Sequence, residues 1–302
     1  MNPLLKKWLF LLLKVVVTGI CILYVIHKID WATSWKTFQR SNLFWLTAAA
    51  LLIIASKVVA AFRLNIYYKC INVFISNKNN LRLYWLGMYY NVFLPGGIGG
   101  DAYKVIVLNK AYQHSVKLLT AAVFLDRVSG VAGIGVLTAL YYLGVFQGTN
   151  YSWWLLAAVV PGLLIYYFIV KLFFPSFIKS FWSTFWMGLA VQMIQVVCVY
   201  CFLNALHLHG HSTEYVLIFL LSSIVAFLPF TIGGFGAREV VFIWGSKQFL
   251  LNQSESVCIS LLFYLISVAI SLPGVYWVYN NVLKDEGKEK RVNVEEKSSY
   301  TS

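Results

Sequence analysis

The chain has 302 residues, of which 60% are hydrophobic and 17% aromatic, and its formal net charge at pH 7 is +13. Only 12% of the residues are charged, against roughly a quarter in an ordinary soluble domain, which excludes a soluble globular enzyme and a disordered chain. Apolar runs long enough to cross a bilayer as helices recur along nearly the whole chain. The composition therefore predicts an all-α polytopic membrane protein.

The net positive charge lies outside the C-terminal tail, residues 284–302. That tail holds five Lys/Arg and five Asp/Glu, and subtracting them from totals of 24 and 11 leaves 19 basic and six acidic residues in the rest of the chain. A basic but apolar chain is what the positive-inside rule produces, so no nucleic-acid partner is expected. We predict a single integral membrane domain over residues 1–283 and a polar, disordered cytoplasmic tail over 284–302.

Six apolar segments have the length and composition of full membrane crossings. In chain order they are residues 8–26, 43–62, 118–146, 153–173, 184–206 and 256–280. The first segment is too long for the apolar part of a signal peptide and lacks a small-residue cleavage site. It is therefore predicted to be retained as a membrane helix.

Two further apolar segments, residues 83–108 and 215–250, are interrupted by Gly and Pro. The first contains Leu-Pro-Gly-Gly-Ile-Gly-Gly-Asp at 94–101, and the second contains Leu-Pro-Phe-Thr-Ile-Gly-Gly-Phe-Gly-Ala-Arg-Glu at 228–239. Pro removes a backbone donor and Gly loosens the backbone, and unpaired backbone at membrane depth is tolerated only where protein or water covers it. Each segment is therefore predicted to re-enter the membrane or to form a broken helix facing a cavity.

The distribution of Lys and Arg favours re-entrant segments. If both interrupted segments return to the side they left, 16 Lys/Arg lie on the side of the two termini and five on the other side. If both cross fully, four lysines between residues 110 and 179 change sides and the bias nearly vanishes. The positive-inside rule thus predicts six crossings plus two re-entrant segments with both termini in the cytoplasm, and eight transmembrane helices are the alternative.

The two interruptions share the pattern Leu-Pro-x-x-Ile-Gly-Gly. Five of the seven positions match, and the copies are 134 residues apart. In the re-entrant topology the first copy enters from the cytoplasm and the second from outside. Paired interrupted segments of opposite orientation are typical of inverted-repeat transporters, whose substrate site lies between the repeats. The alternative is a chance similarity of Gly and Pro in a membrane chain.

Half of the six acidic residues outside the tail fall in or beside buried motifs. Asp101 ends the first Gly-rich interruption, and Arg238 and Glu239 end the second. Asp126 and Arg127 lie roughly 15 Å into their crossing at 1.5 Å per residue, near the membrane midplane. Because an ionisable group at that depth costs several kcal/mol unless it is paired or wetted, it indicates a functional site, with a structural ion pair as the alternative.

These motifs suit an anionic ligand. The helix after each interruption begins with unpaired N–H groups and the positive end of its dipole, beside Lys104, Arg127 or Arg238. The glycines let a headgroup approach the backbone closely. The sequence motifs include no nucleotide loop, catalytic triad or metal-ligand cluster, so we expect no cofactor and no metal. Lys57 is expected to snorkel to the interface, with a place in a cavity as the alternative.

Three motifs, in this order, resemble the lysylphosphatidylglycerol synthase transmembrane-region family, also called flippase-like integral membrane proteins. They are Asn-Val-Phe-Leu-Pro-Gly-Gly-Ile-Gly-Gly-Asp at 91–101, Asp-Arg-Val-Ser-Gly at 126–130, and the second interruption at 228–239. Arg63, at the end of the second predicted crossing, looks like that family's basic residue there, whereas Lys104 stands where the family more often has Arg. The resemblance covers residues 1–285.

What the resemblance implies is lipid handling in a bacterial plasma (inner) membrane. In the multiple peptide resistance factor this region is similar to a flippase that moves aminoacylated phosphatidylglycerol, which a separate cytosolic domain synthesises. The short tail of this chain is expected to leave no room for that transferase domain. We therefore expect a flippase for a phosphate-bearing lipid, aminoacylated or polyprenyl-linked. The alternatives are the membrane part of a lipid-modifying enzyme such as phosphatidylglycerol lysyltransferase, and a scaffold for a soluble synthase.

Basic residues of the motifs, namely Arg127, Arg238 and Lys104, are expected to hold the phosphate. Acidic residues are expected to position these bases or to bind a cationic headgroup. The full set of candidate substrate-binding residues is Arg63, Asn91, Pro95, Gly97, Gly99, Gly100, Asp101, Lys104, Asp126, Arg127, Pro229, Thr231, Gly233, Gly234, Gly236, Arg238 and Glu239.

Overall fold

The computed structural model describes residues 3–93, 99–147, 152–227 and 236–283, with residues 3–15 described by their backbone alone. Within these ranges the chain is helical and contains no strand. The helices are α1 (Pro3–Lys28), α2 (Trp31–Gln39), α3 (Leu43–Cys70), α4 (Asn77–Phe93), α5 (Gly99–Tyr112), α6 (Val116–Val145), α7 (Ser152–Phe173), α8 (Phe181–Ala205), α9 (Ser212–Phe227), α10 (Ala237–Gln248), α11 (Gln253–Ser271) and α12 (Tyr276–Tyr279). Short 3-10 turns, Pro175–Ser180 and Leu272–Val275, lead into α8 and α12. The predicted tail, 284–302, lies outside the described residues.

The helices confirm the predicted all-α polytopic membrane fold. In the described part of the chain, five helical spans are long and apolar enough to cross a membrane: Leu43–Cys70, Val116–Val145, Trp153–Phe173, Pro175–Ala205 and Gln253–Tyr279. A sixth candidate is the bent pair α1 and α2, whose axes differ by 84°. The bend follows from Asp30, whose carboxylate accepts hydrogen bonds from the N–H groups of Ala32 and Thr33 and so starts a new helix.

Helix α3 is longer than the predicted crossing 43–62. It continues to Cys70, so Arg63 lies inside the helix and not at its end. The charge does not end the helix because Arg63 is paired with Asp126 of α6. The last turns are held by the buried side chains of Leu64 and Tyr68.

The first interrupted segment folds back on itself. The N–H of Gly100 in α5 donates to Asn91 in α4, and Lys104 of α5 lies 4.4 Å from the ring centre of Tyr84 in α4. Residues earlier in α4 contact residues later in α5, so the two helices pack antiparallel. Gly87 and Gly100 meet at the crossing point, where a Cβ built on Gly100 would lie 1.9 Å from the carbonyl oxygen of Gly87.

The second interrupted segment is arranged in the same way. Arg238 near the start of α10 donates to Ser223 near the end of α9, and Gly245 near the end of α10 packs on Ile218 further back in α9. These contacts again describe an antiparallel pair. The predicted site residues Pro95, Gly97, Pro229, Thr231, Gly233 and Gly234 lie in the connections between the paired helices, outside the described residues.

Two apolar cores leave a polar level between them. One core contains the first half of α3, the second halves of α6 and α8, and much of α9 to α11. The other contains the second half of α3, the first half of α6, the start of α8, and α4 and α5. The long helices α3, α6 and α8 pass through both cores, so their middle turns lie between the two antiparallel pairs. At this level α3 carries Lys57 and Arg63, α6 carries Asp126 and Arg127, and α8 contributes polar glutamines and no charge.

Candidate functional site: a charged cavity between the helix pairs

A cavity of about 360 Å³ lies at this polar level. Both antiparallel pairs contribute to its walls, together with α3, α6, α8 and α11. Of the charged side chains that the structure describes around it, five are basic and two are acidic, a formal charge of +3. They are Lys57, Arg63, Asp101, Lys104, Asp126, Arg127 and Arg238.

Arg63 and Asp126 form a buried ion pair in one wall. Nε of Arg63 donates to Oδ1 of Asp126 at 2.7 Å, and the side chains are only 5% and 9% exposed. The guanidinium lies where α6 and α8 come together, and a Cβ built on Gly188 would be 3.2 Å from Nη1 of Arg63. That Nη1 is buried and makes no hydrogen bond to the residues described. Arg63 therefore keeps one donor available at the cavity.

Asp101 joins α5 to α6 through two cations. Nζ of Lys104 donates to Oδ1 of Asp101 at 3.1 Å, and Nε of Arg127 donates to Oδ2. Lys104 is buried, and Asp101 and Arg127 are partly buried. Two of the three cations predicted to hold a phosphate are thus already engaged by a carboxylate.

The helix starts that follow the interruptions are capped by the protein itself. Oδ1 of Asn91 accepts from the N–H of Gly100 at 2.9 Å in the first turn of α5, which Gly99 begins. Glu239 accepts from the N–H of Gly236 at 2.8 Å at the start of α10. The first N–H groups of these helices were expected to face a ligand, but at each start an internal acceptor takes up one of them, as the cost of a buried, unpaired N–H predicts.

Glu239 is separate from the charged cavity. It is 1% exposed, accepts a second hydrogen bond from Oγ of Ser260 at 2.8 Å, and thereby ties α10 to α11. With Gly236, whose φ of +83° favours glycine, it borders a different and almost wholly apolar pocket beside α1. These contacts give Glu239 and Gly236 a structural part in holding α10.

Arg238 faces the cavity from the second pair. Its guanidinium carbon lies 4.6 Å from the ring centre of Phe263 and 5.4 Å from that of Phe219, and Nη2 donates to Oγ of Ser223 at 3.1 Å. Nη1 is buried and without a hydrogen-bond partner in the described part of the chain. The described residues also include no carboxylate in an ion pair with Arg238.

Lys57 lines the cavity in the middle of α3, and its expected snorkelling to the interface was wrong. The structure describes no hydrogen bond or ion pair for its amine within the ranges it covers, and Lys57 shares the cavity with the cations Arg238, Arg63 and Lys104. The misplacement came from the predicted end of the crossing at residue 62. With α3 continuing to Cys70, Lys57 is roughly 20 Å from either end at 1.5 Å per residue, too far for a lysine to reach.

The structure brings seven of the predicted site residues to one cavity. They are Arg63, Asn91, Asp101, Lys104, Asp126, Arg127 and Arg238. Sequence reasoning did not include the amides Gln192 and Gln195 of α8, which line the same cavity and are 6% and 8% exposed. A polar residue in the middle of an apolar helix, repeated within one turn, is the signal that could have found them.

Comparison with known proteins places the chain in a family. The family model described as "Lysylphosphatidylglycerol synthase TM region" matches residues 11–274. The chain belongs to that family. It is also similar to the UPF0104 membrane protein PH1989 of Pyrococcus horikoshii, with 29% identity over 110 residues. That match covers 36% of this chain and 33% of the relative, so the alignment spans about a third of each protein. Family and helices together make this an integral membrane protein.

Proposed function

We propose that the protein moves a phosphate-bearing lipid headgroup across the membrane through the charged cavity. The observation that carries the proposal is the formal charge of +3 around a cavity within a bundle of membrane-length helices. Uncompensated charge at membrane depth is costly, so a chain retains it where a ligand of opposite charge compensates it. A phosphate accepts hydrogen bonds from arginine and lysine and supplies that charge.

The helix pairs support a transporter with an inverted repeat. α5 and α10 have 14 and 12 residues, roughly 21 and 18 Å long, whereas the hydrocarbon core is about 30 Å thick. We therefore infer that each pair enters the membrane and returns to the same side. Lys104 and Arg238 are 134 residues apart, as are the two motif copies, and they face the cavity from opposite pairs. Both termini would then lie on the cytoplasmic side, as the basic residues predict.

A groove between α6 and α7 gives the lipid tails a place beside the headgroup. It has a volume of about 360 Å³ and an almost wholly apolar lining that includes Gly135, Gly162 and Tyr166. Val131 of α6 lines both this groove and the charged cavity, so the two are adjacent. A headgroup in the cavity can therefore keep an acyl chain in the groove, at no cost in exposed apolar surface.

Filling the groove is expected to slow translocation. A Cβ built on Gly162 meets no described atom within 4 Å, so a Gly162→Leu side chain projects into the groove without disturbing its neighbours. We expect a fall of about tenfold in transport rate and little change in thermal stability. Gly19→Leu in α1, where a Cβ also meets nothing within 4 Å, is the matched control. Equal rates in the two variants would remove the groove from the pathway.

Arg238→Gln is expected to abolish headgroup translocation. The full chain is reconstituted in vesicles that contain phosphatidylglycerol with a fluorescent tail, with and without an imposed proton gradient, and the outer leaflet is bleached with dithionite. Wild-type protein should make the inner-leaflet probe accessible, whereas the variant should leave it protected. Lys247→Gln is the matched control, because it removes the same charge from the exposed end of the same helix.

The recovered lipids separate transport from the other candidate functions. Mass spectrometry should show the probe unchanged after translocation, whereas a covalently altered probe would indicate a lipid-modifying enzyme. A wild-type rate in Arg238→Gln would count against the cavity as the path and favour a scaffold for a soluble synthase.

A further inference from the structure

Every acidic residue outside the tail has a defined position in the structure. Three stand at helix starts away from the cavity: Asp30 caps α2, Glu214 pairs with His211, and Glu255 lies in the first turn of α11. Glu239 caps α10 and accepts from Ser260. The remaining two, Asp101 and Asp126, line the cavity.

Both carboxylates of the cavity are already paired with cations. Asp126 accepts from Arg63, and Asp101 accepts from Lys104 and Arg127. The interruptions at 94–98 and 228–235, which the structure does not describe, contain no Asp or Glu in the sequence and cannot add a carboxylate. The other five acids belong to the tail 284–302, where five Lys/Arg accompany them. A cationic group entering the cavity would therefore meet cations without an available carboxylate.

Two of the three excess positive charges lie with Lys57 and Arg238, and the third lies with Lys104 and Arg127, which share the carboxylate of Asp101. Within the described ranges Lys57 and Arg238 are the cavity cations that have no carboxylate in an ion pair, and both line the same cavity. Neutral hydrogen-bonding groups line the same cavity. Oε1 of Gln192, which is 6% exposed, and the buried Oγ of Ser267 both line the cavity without a hydrogen-bond partner among the residues described.

We propose that Lys57 and Arg238 form an anion site that selects lipids of net negative headgroup charge and excludes aminoacylated ones. The proposal rests on the proposed function and names its substrate class. One phosphodiester between the two cations offsets charge that the protein leaves uncompensated. Hydroxyl groups of the headgroup, as in a glycerol, can donate a hydrogen bond to Oε1 of Gln192 and form one with Oγ of Ser267. A lysyl group adds positive charge to a cavity whose carboxylates are paired, so its desolvation is not compensated.

Lipid competition tests the selection directly. The full chain, purified in detergent, is given an equimolar mixture of phosphatidylglycerol, lysylphosphatidylglycerol and phosphatidylethanolamine, and the retained lipid is counted by native mass spectrometry. We expect phosphatidylglycerol to be retained over the lysyl lipid by about tenfold or more. Equal retention, or preference for the lysyl lipid, would overturn the proposal, and this comparison needs no variant.

Two substitutions locate the site. Lys57→Gln and Arg238→Gln should each reduce retained phosphatidylglycerol by about tenfold, because each removes a charged partner of the phosphate. Lys247→Gln should retain the wild-type amount. Lys57→Gln removes one of these partly buried cations and no described hydrogen bond or ion pair, so it should unfold at or above the wild-type temperature. Unchanged retention in both, with folding intact, would contradict the assignment.

A soluble competitor distinguishes a lipid from a free anion. Inorganic phosphate at the concentration of the lipid should not displace phosphatidylglycerol, whereas displacement would assign the site to a soluble anion and overturn the lipid proposal. The transport assay fails separately. If phosphatidylglycerol is retained but not translocated, the proposed function is contradicted and the lipid selection stands. If the lysyl lipid is translocated in preference, transport stands and the lipid selection is contradicted.

Discussion

Asp126→Asn is expected to lower the free energy of unfolding by about 3–5 kcal/mol, the range for breaking one partner out of a buried ion pair. The substitution leaves the guanidinium of Arg63, whose side chain is 5% exposed, without its carboxylate between α3, α6 and α8. Thermal unfolding in detergent, followed by tryptophan fluorescence, should show a clear drop in midpoint, and titration with a denaturing detergent should give the free energy.

A double variant distinguishes the net contribution of the ion pair from the cost of leaving one of its charges unpaired. Arg63→Met with Asp126→Leu removes both charges and replaces them with apolar side chains, so it should recover most of the lost stability. Glu214→Gln is the control, because the pair of His211 and Glu214 is 61% and 23% exposed and such pairs contribute about 0–1 kcal/mol. If Asp126→Asn lowers the free energy of unfolding no more than Glu214→Gln does, the buried ion pair does not hold the helix bundle together.

Gly100→Ala is expected to separate α4 from α5. The added Cβ would lie 1.9 Å from the carbonyl oxygen of Gly87 and 2.6 Å from its carbonyl carbon, and both are backbone atoms that cannot rotate away. Overpacking of this kind costs about 1–3 kcal/mol. Because Asp101 follows Gly100 directly and Lys104 lies one turn further on, the displacement should also weaken retention of phosphatidylglycerol in the lipid competition.

Gly135→Ala makes the matched control for this change. Gly135 lies in α6, and a Cβ built there meets no described heavy atom within 4 Å. The control should unfold at the wild-type temperature or slightly above it, since Ala is the better helix former. Equal midpoints for the two alanine variants would be inconsistent with close packing of the two helices through their glycines.

Helix positions were predictable because the apolar runs are local. The crossings predicted at 118–146 and 153–173 correspond to α6 and α7 within two residues at each end. Hydropathy placed the end of a helix less accurately where a charged residue is buried. The crossing predicted to end at residue 62 continues for eight residues, because Arg63 meets a carboxylate 63 residues away in the sequence.

The members of the site were easier to predict than their roles. Ionisable residues beside Gly-rich interruptions marked Asp101, Lys104 and Arg238 as residues of one cavity, which they line. The motif did not show that Asp101 engages Lys104 and Arg127. Nor did it show that Glu239, which follows Arg238 directly, points away from the cavity and caps its own helix.

The sequence by itself determined that this is a polytopic helical membrane protein of the lysylphosphatidylglycerol synthase TM region family, and that its few candidate buried charges lie in the two Gly/Pro-interrupted segments and in the crossings beside them. Those properties follow from the composition and order of neighbouring residues. Only the tertiary structure decided which charges neutralise each other and that Lys57 stands with Arg238 at the cavity. A buried ion pair depends on which helices pack together and at what level, and local patterns do not contain that geometry.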